Sequence, residues 1–96
     1  MASTSSVNTG VLNASALTFT GRNRINAVSL FGDGVNAATL NIYDNTSAAG
    51  KIAVKVQVKA ADYQNHVIFT QPVYMENGIY NSLAGTGANF IVYYGA

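Results

Sequence analysis

The chain has 96 residues, of which 49% are hydrophobic and only 9% are charged, and its formal net charge is +1. Its length predicts one domain, its small charge excludes strong long-range attraction to nucleic acid or to an anionic membrane, and its lack of cysteine excludes disulfides and thiolate metal sites. No apolar run approaches the roughly 18 residues of a membrane helix, and no stretch resembles a signal peptide, so we expect neither feature.

Short β segments alternate along the chain with turn-forming sequences, and none of them shows helical periodicity. Gly, Asn and Asp cluster in the breaks, where Asn and Asp side chains bond their own backbone and Gly supplies positive φ. In chain order the predicted strands are 11–12, 16–20, 24–31, 38–43, 51–59, 65–71 with 73–75 beyond Pro72, 79–83 and 89–94.

The N-terminal segment differs from the rest. Residues 1–10 are small and polar, so alone they do not offset the entropy of ordering. We predict that they form a flexible arm that a neighbouring subunit orders. The folded domain is predicted to occupy residues 11–96.

Alternation of apolar and polar residues predicts which side chains face the core. The clearest case is 51–59, where β-branched residues alternate with lysine, alanine and glutamine without a break. The residues predicted to be buried there are Ile52, Val54, Val56 and Val58. In 16–20 the same rule places Leu17 and Phe19 together on one face.

Proline and an Asn–Gly pair mark the later connections. Pro72, which cannot donate to a β ladder, is predicted to end or kink its strand. Asn77–Gly78 predicts a hairpin between 73–75 and 79–83, because Asn–Gly favours tight hairpin turns.

These features predict an all-β domain, an antiparallel two-sheet β-sandwich of about seven to eight short strands. Periodicity does not separate a jelly-roll-like order from an immunoglobulin-like one. The Cys and Trp landmarks of true immunoglobulin domains are absent, which favours the former.

Residues able to support catalysis or metal binding are sparse. The two Gly-x-Gly segments at 32–34 and 85–87 are each followed by a predicted strand, so they favour turns over a phosphate-binding loop. His66 is the only histidine and is interpreted as a surface or hydrogen-bonded strand residue. The four acids fall in separate predicted turns, where turn-stabilising carboxylates are expected rather than a calcium site. We therefore predict no enzyme activity, no cofactor and no metal site.

Lysines and tyrosines supply the candidate interface. Alternation places Lys51, Lys55 and Lys59 on one face at intervals of about 13 Å. The set is either a solvated face that guards a sheet edge or a basic stripe that binds an acidic neighbour. Tyr93 and Tyr94 are adjacent in a strand and must face opposite ways, so at most one enters the core. The other is exposed or covered by a partner.

The order of short motifs resembles a known family. It comprises Ile42–Asn45 before a small-residue turn to Gly50, a Val-rich alternation, Gly78–Tyr80, Leu83–Gly87 and a final Val92–Gly95. Over residues 22–96 this order is similar to the small β-sandwich structural proteins that decorate or cement the capsids of tailed bacteriophages.

The resemblance implies a non-enzymatic virion protein that binds the major capsid protein or another virion protein. It also implies a homo-oligomer that is assembled in the host cytoplasm and uses its N-terminal arm to tie subunits together. Proteins of this kind also occur at head–tail and tail positions. A second class of function stays open, a small carbohydrate- or receptor-binding module, because β-sandwiches commonly present aromatic residues and loops to sugars.

Overall fold

The computed structural model describes residues 7–95, and strands are its only regular secondary structure. No helix in this part of the chain is long and apolar enough to cross a membrane. The strands are β1 (Val7–Asn8), β2 (Ala16–Thr20), β3 (Asn23–Phe31), β4 (Ala38–Tyr43), β5 (Ile52–Val58), β6 (Gln64–Met75), β7 (Gly78–Ala84) and β8 (Asn89–Tyr94).

The strands form two antiparallel four-stranded sheets, as predicted for a β-sandwich. Sheet A has the order β1-β8-β3-β6 and sheet B the order β2-β7-β4-β5. The β4–β5 hairpin is followed outward by the pairs β3–β6, β2–β7 and β1–β8, so the chain is one long hairpin rolled into two sheets. This is the jelly-roll order, and it decides between the two predicted alternatives.

The core lies between the sheets and is built from apolar residues of both inner faces. Alternation along each strand turns these residues inward and their polar neighbours outward. Those that are almost completely buried include Ile25, Val28, Leu30, Leu40, Ile42, Val56, Ile79, Phe90 and Val92.

A β-bulge in β2 corrects the predicted facing of its apolar residues. Leu17 lies opposite Tyr80 on β7, whereas Phe19 lies opposite the core residue Ile79, and Thr18 is the additional residue between them. Directly opposed residues of an antiparallel pair share a face. Leu17 therefore points outward and Phe19 inward, and the prediction that they share a face is wrong.

A second bulge, between β4 and β5, corrects the prediction for Ile52. Ile42 lies opposite Val54 but Tyr43 lies opposite Ile52, so Ala53 has no partner of its own. A shift of one residue reverses the face of a side chain. Ala53 packs against the core and Ile52 is 45% exposed. The other three residues predicted to be buried, Val54, Val56 and Val58, are buried.

The strand that contains Pro72 is kinked and does not end there. β6 forms the edge of sheet A, where a missing backbone N–H costs no ladder hydrogen bond. Ile68 and Val73 are five residues apart on β6, but their partners on β3, Ala27 and Ile25, are only two residues apart. The additional residues make β6 bend away from its neighbour around Pro72.

The predicted hairpin at Asn77–Gly78 is wrong, because β6 belongs to sheet A and β7 to sheet B. Contacts with other loops help to hold the turn in this crossing between the sheets. Oδ1 of Asp44 accepts hydrogen bonds from the backbone N–H groups of Glu76 and Asn77, at 2.9 and 2.8 Å. The backbone N–H of Gly21 donates to the carbonyl oxygen of Asn77 at 2.9 Å.

The sandwich begins earlier than the predicted boundary at residue 11. Val7–Asn8 pairs with β8, and the N–H of Thr9 donates to the carbonyl oxygen of Val92. Residues 7–10 of the predicted arm thus contact their own chain, whereas residues 1–6 lie outside the described residues. The predicted strand at 11–12 is a single bridge between Leu12 and Phe90.

Candidate functional site

The outer face of sheet A presents an apolar surface. Its residues alternate along the strands with the core residues Val28, Leu30 and Val92, which point inward. The register places Ala27 between Ile68 and Tyr93, and Ser29 between His66 and Ile91. The polar residues Gln64 and Asn89 flank Phe31 at one end of the sheet. The part called outer face A below consists of Ala27, Ser29, Phe31, His66, Ile68, Ile91 and Tyr93.

Small residues at the centre of outer face A create a depression. Ala27 and Ser29 lie between larger side chains, and the space above them measures about 480 Å³. Tyr93 borders it on one side and Ile68, which is 80% exposed, on the other. The volume is within the range of roughly 300–1,000 Å³ that is typical of ligand sites.

His66 and Ser29 form a hydrogen-bonded pair beside this depression. Nδ1 of His66 lies 2.8 Å from Oγ of Ser29, and the imidazole packs edge-on against Phe31 with ring centroids 5.5 Å apart. Ser29 is buried although it is on the outer face, because these neighbours cover it. His66 is exposed and hydrogen-bonded, which confirms its interpretation from the sequence.

The two predicted tyrosines separate as expected. Tyr94 packs against the core, with its ring centroid 6.3 Å from that of Phe19. Tyr93 is on the opposite side of the same strand and lines the depression. Only Tyr93 is part of outer face A.

The three predicted interface lysines are exposed but are not equivalent. Lys55 faces outward opposite Asn41 on β5, the edge strand of sheet B. Lys59 lies just beyond the end of β5 and borders the same surface depression as Lys55. Lys51 precedes the strand, and the bulge at Ala53 interrupts the alternation that would align it with the other two. None of the three lies near outer face A in the register.

Two of the four acids, Asp33 and Asp44, accept hydrogen bonds that stabilise turns, as predicted. Hydrogen bonds from the backbone N–H of Asn36, the backbone N–H of Val35 and the side chain of Asn36 lower the pKa of Asp33. Partial burial opposes ionisation of Asp44, but backbone N–H groups of the 76–78 turn and the charge of Lys51 outweigh it and lower the pKa of Asp44. Among residues 7–95 no group of three His, Cys, Asp or Glu side chains is arranged to hold a metal ion.

Sequence reasoning missed the centre of the site. Ala27 and Ser29 carry no motif, and only the pairing of β3 with β6 and β8 brings them beside His66, Ile68 and Tyr93. The sequence does carry one signal, because strand alternation puts Ile68 on the same side as His66 and Thr70. An isoleucine in that position indicates an exposed apolar contact.

Comparison of the chain with protein-family models, with curated proteins and with solved structures found no match. The surface itself therefore provides the functional argument. It offers apolar and aromatic contact area with a few hydroxyl, imidazole and amide groups, which suits recognition by shape and burial.

Proposed function

We propose that the protein is a non-enzymatic structural protein of a tailed bacteriophage particle, which binds and stabilises neighbouring capsid subunits through outer face A. The observation that carries this proposal is the exposed apolar surface around Ile68 and Tyr93. Its biological setting rests on the resemblance of the sequence to capsid-decorating β-sandwich proteins.

The distribution of charge supports a protein-binding role for this face. Arg24 is the only charged residue in the four strands of sheet A. Its Nε donates to the carbonyl oxygen of Gly95 at 3.2 Å, and its guanidinium lies 6.0 Å from the ring centroid of Tyr74. A partner would therefore cover outer face A without stripping water from an unpaired charge. Protein interfaces have such charge-depleted, tyrosine-containing centres.

The exposure of Ile68 allows an estimate of the binding free energy that a partner would gain by covering it. Complete burial of an aliphatic side chain of this size contributes about 1.5–3 kcal/mol. Loss of that contribution corresponds to roughly a tenfold to hundredfold loss in affinity. The effect is large enough to measure on one variant.

The test has two stages. Mass spectrometry of purified phage particles should detect the chain in many copies per capsid, and the purified protein should bind to particles that lack it. Ile68→Ser should weaken that binding at least tenfold. Val35→Ser is the matched control, because Val35 is 71% exposed in the loop between β3 and β4 and is not part of outer face A. Equal binding by both variants, or particles without the chain, would refute the proposal.

The depression supports a second candidate, a carbohydrate-binding module. Its size suits a small ligand, Tyr93 offers an aromatic ring on which a sugar can stack, and Ser29 and His66 supply polar groups. The prediction here is glycan-array binding by the purified protein that Tyr93→Ala abolishes. Glycan binding together with absence from particles would favour this candidate over the first.

A further inference from the structure

Each of the four edge strands is protected against pairing with another chain. β1 has only two residues, and β2 is interrupted by its bulge at Thr18. β5 carries the exposed Lys55, and its Gln57 carbonyl accepts a hydrogen bond from Nδ2 of Asn65 at 2.9 Å. β6 contains Pro72 and bends away from its neighbour. Proteins use these devices to prevent edge-to-edge association, so β pairing between copies is disfavoured and the faces of the sheets are the larger surfaces left for contact.

The outer face of sheet B carries a row of four apolar and aromatic side chains that crosses all four strands. Leu17 lies opposite Tyr80, Tyr80 opposite Tyr43, and Tyr43 opposite Ile52. We call these four residues row B. With strands about 4.8 Å apart, row B is about 14 Å long between its end strands. Its two ends, Leu17 and Ile52, are 46% and 45% exposed.

Row B has the same chemical order from either end: aliphatic, tyrosine, tyrosine, aliphatic. We propose that two copies of the chain pack face to face through row B about a two-fold axis that runs parallel to the strands, between β7 and β4. This axis places Leu17 of one copy over Ile52 of the second copy, and Tyr80 over Tyr43. All four strands then overlap, and every aliphatic group meets an aliphatic group, which is what a self-complementary two-fold interface requires.

The polar residues of the face agree with this arrangement. Lys55 is the only charged residue in the four strands of sheet B. It lies at one edge of the face, and the axis carries Lys55 of the second copy to the opposite edge. In the next row the same operation places Ser82 over Asn41, which can share a hydrogen bond. The net charge of +1 adds little repulsion between copies.

The size of the face predicts the strength of the dimer. Four strands of about six residues each, of which about three per strand face outward, give a footprint of about 19 by 20 Å. About 380 Å² per copy is roughly half the 800 Å² per partner of a standard interface, so we expect a weak dimer with a dissociation constant in the micromolar range. The dimer does not depend on the function proposed for outer face A. It leaves the two copies of outer face A pointing in opposite directions, so one dimer could link two partners.

Sedimentation and light scattering over a range of concentrations test the dimer directly. The wild-type protein should change from monomer to dimer around micromolar concentrations. Ile52→Ser and Leu17→Ser should raise the dissociation constant at least tenfold, and Val35→Ser should leave it unchanged. A wild-type protein that stays monomeric to millimolar concentration, or a dimer that Ile68→Ser dissociates and Ile52→Ser does not, would overturn the proposal.

Disulfide trapping tests the axis, because the natural chain contains no cysteine. Leu17→Cys and Ile52→Cys proteins should form a mixed disulfide-linked dimer when combined, much faster than either variant links to itself. Preferential Leu17→Cys self-linking would overturn the axis. Binding of each variant to phage particles is measured in parallel, so failure of the dimer and failure of the proposed particle function are distinguished.

Discussion

The two outer faces of this jelly roll expose apolar residues in different patterns. On outer face A, large side chains surround a depression above Ala27 and Ser29. On the outer face of sheet B, row B runs straight across the strands. Each sheet has a single charged residue in its strands, Arg24 in A and Lys55 in B. With one charged residue each, both sheets have few of the charges that ordinarily keep an exposed sheet face free of partners.

The physical origins of the two surfaces differ, and this is the lesson of the comparison. On outer face A, Ile68, Ile91 and Tyr93 point outward by uninterrupted alternation around the regular parts of β6 and β8. In row B, Leu17 and Ile52 point outward because one extra residue follows each of them, Thr18 and Ala53 respectively. Outer face A therefore follows from the alternation of residues in the sequence, whereas row B is produced by two β-bulges.

The largest effect on stability is expected for a substitution in the core between the two sheets. Val56 is buried in the regular half of β5. Val56→Asp should place an unpaired charge in the core and lower the free energy of unfolding by about 4 kcal/mol or more, which largely unfolds a domain of this size. Circular dichroism during thermal unfolding measures it. A melting temperature within a degree or two of the wild type would show that β5 is assigned incorrectly.

A pair of variants on either side of the β5 bulge sharpens the comparison. Val54→Ser removes buried methyl groups and buries a hydroxyl, so it should lower the free energy of unfolding by about 2–4 kcal/mol. Ile52→Ser acts on an outward side chain and should lower it by less than about 1 kcal/mol. Denaturant titration of both variants gives the difference. Equal losses would mean that Ile52 faces the core and that row B does not exist.

Asp44 follows Tyr43 of row B and ties this end of sheet B to the 76–78 turn. Asp44→Ala should lower the free energy of unfolding at pH 7 by about 1–3 kcal/mol, because hydrogen bonds to a charged acceptor are lost. Asp44→Asn keeps an oxygen acceptor without the charge and should be intermediate. Asp62→Ala, at an exposed turn, is the control.

The effect of Asp44 should depend on pH with a definite sign. Its pKa is lower in the folded protein than the usual value of 3.8, so the folded state favours the ionised carboxylate. The stabilisation is complete above the unfolded pKa and is lost as pH falls through the folded pKa. The difference between wild type and Asp44→Ala should therefore be constant from pH 7 to about pH 5 and narrow below about pH 4. A difference that grows on acidification would contradict this account.

The smallest effect is expected for the lysines beside row B. Exposed ion pairs contribute about 0.2–1 kcal/mol each, and the structure separates Lys51 from the other two. A variant with glutamine at Lys51, Lys55 and Lys59 should fold normally, bind particles with an unchanged salt dependence and aggregate more readily, because lysines guard the β5 edge. A reduced salt slope of particle binding would instead identify the lysines as a docking stripe.

The sequence by itself determined the class of fold and most strand positions. Regular alternation and turn residues are local, so β4 was predicted at its observed bounds and three of the four valine and isoleucine residues of β5 were placed correctly. The opposite facing of Tyr93 and Tyr94 also follows from strand geometry alone. The apolar position of Ile68 on a polar face was visible in the same way.

Only the tertiary structure decided the strand order, the facing of Leu17 and Ile52, and the grouping of Ala27, Ser29, His66 and Tyr93 on one face. Strand partners are set by packing of the whole chain, and a bulge is a property of a pair of strands, because the extra residue exists only relative to the partner. The Asn77–Gly78 turn shows the same limit. Its local preference is for a hairpin, but the long-range hydrogen bonds from its backbone to Asp44 help to fix it as a crossing between the sheets.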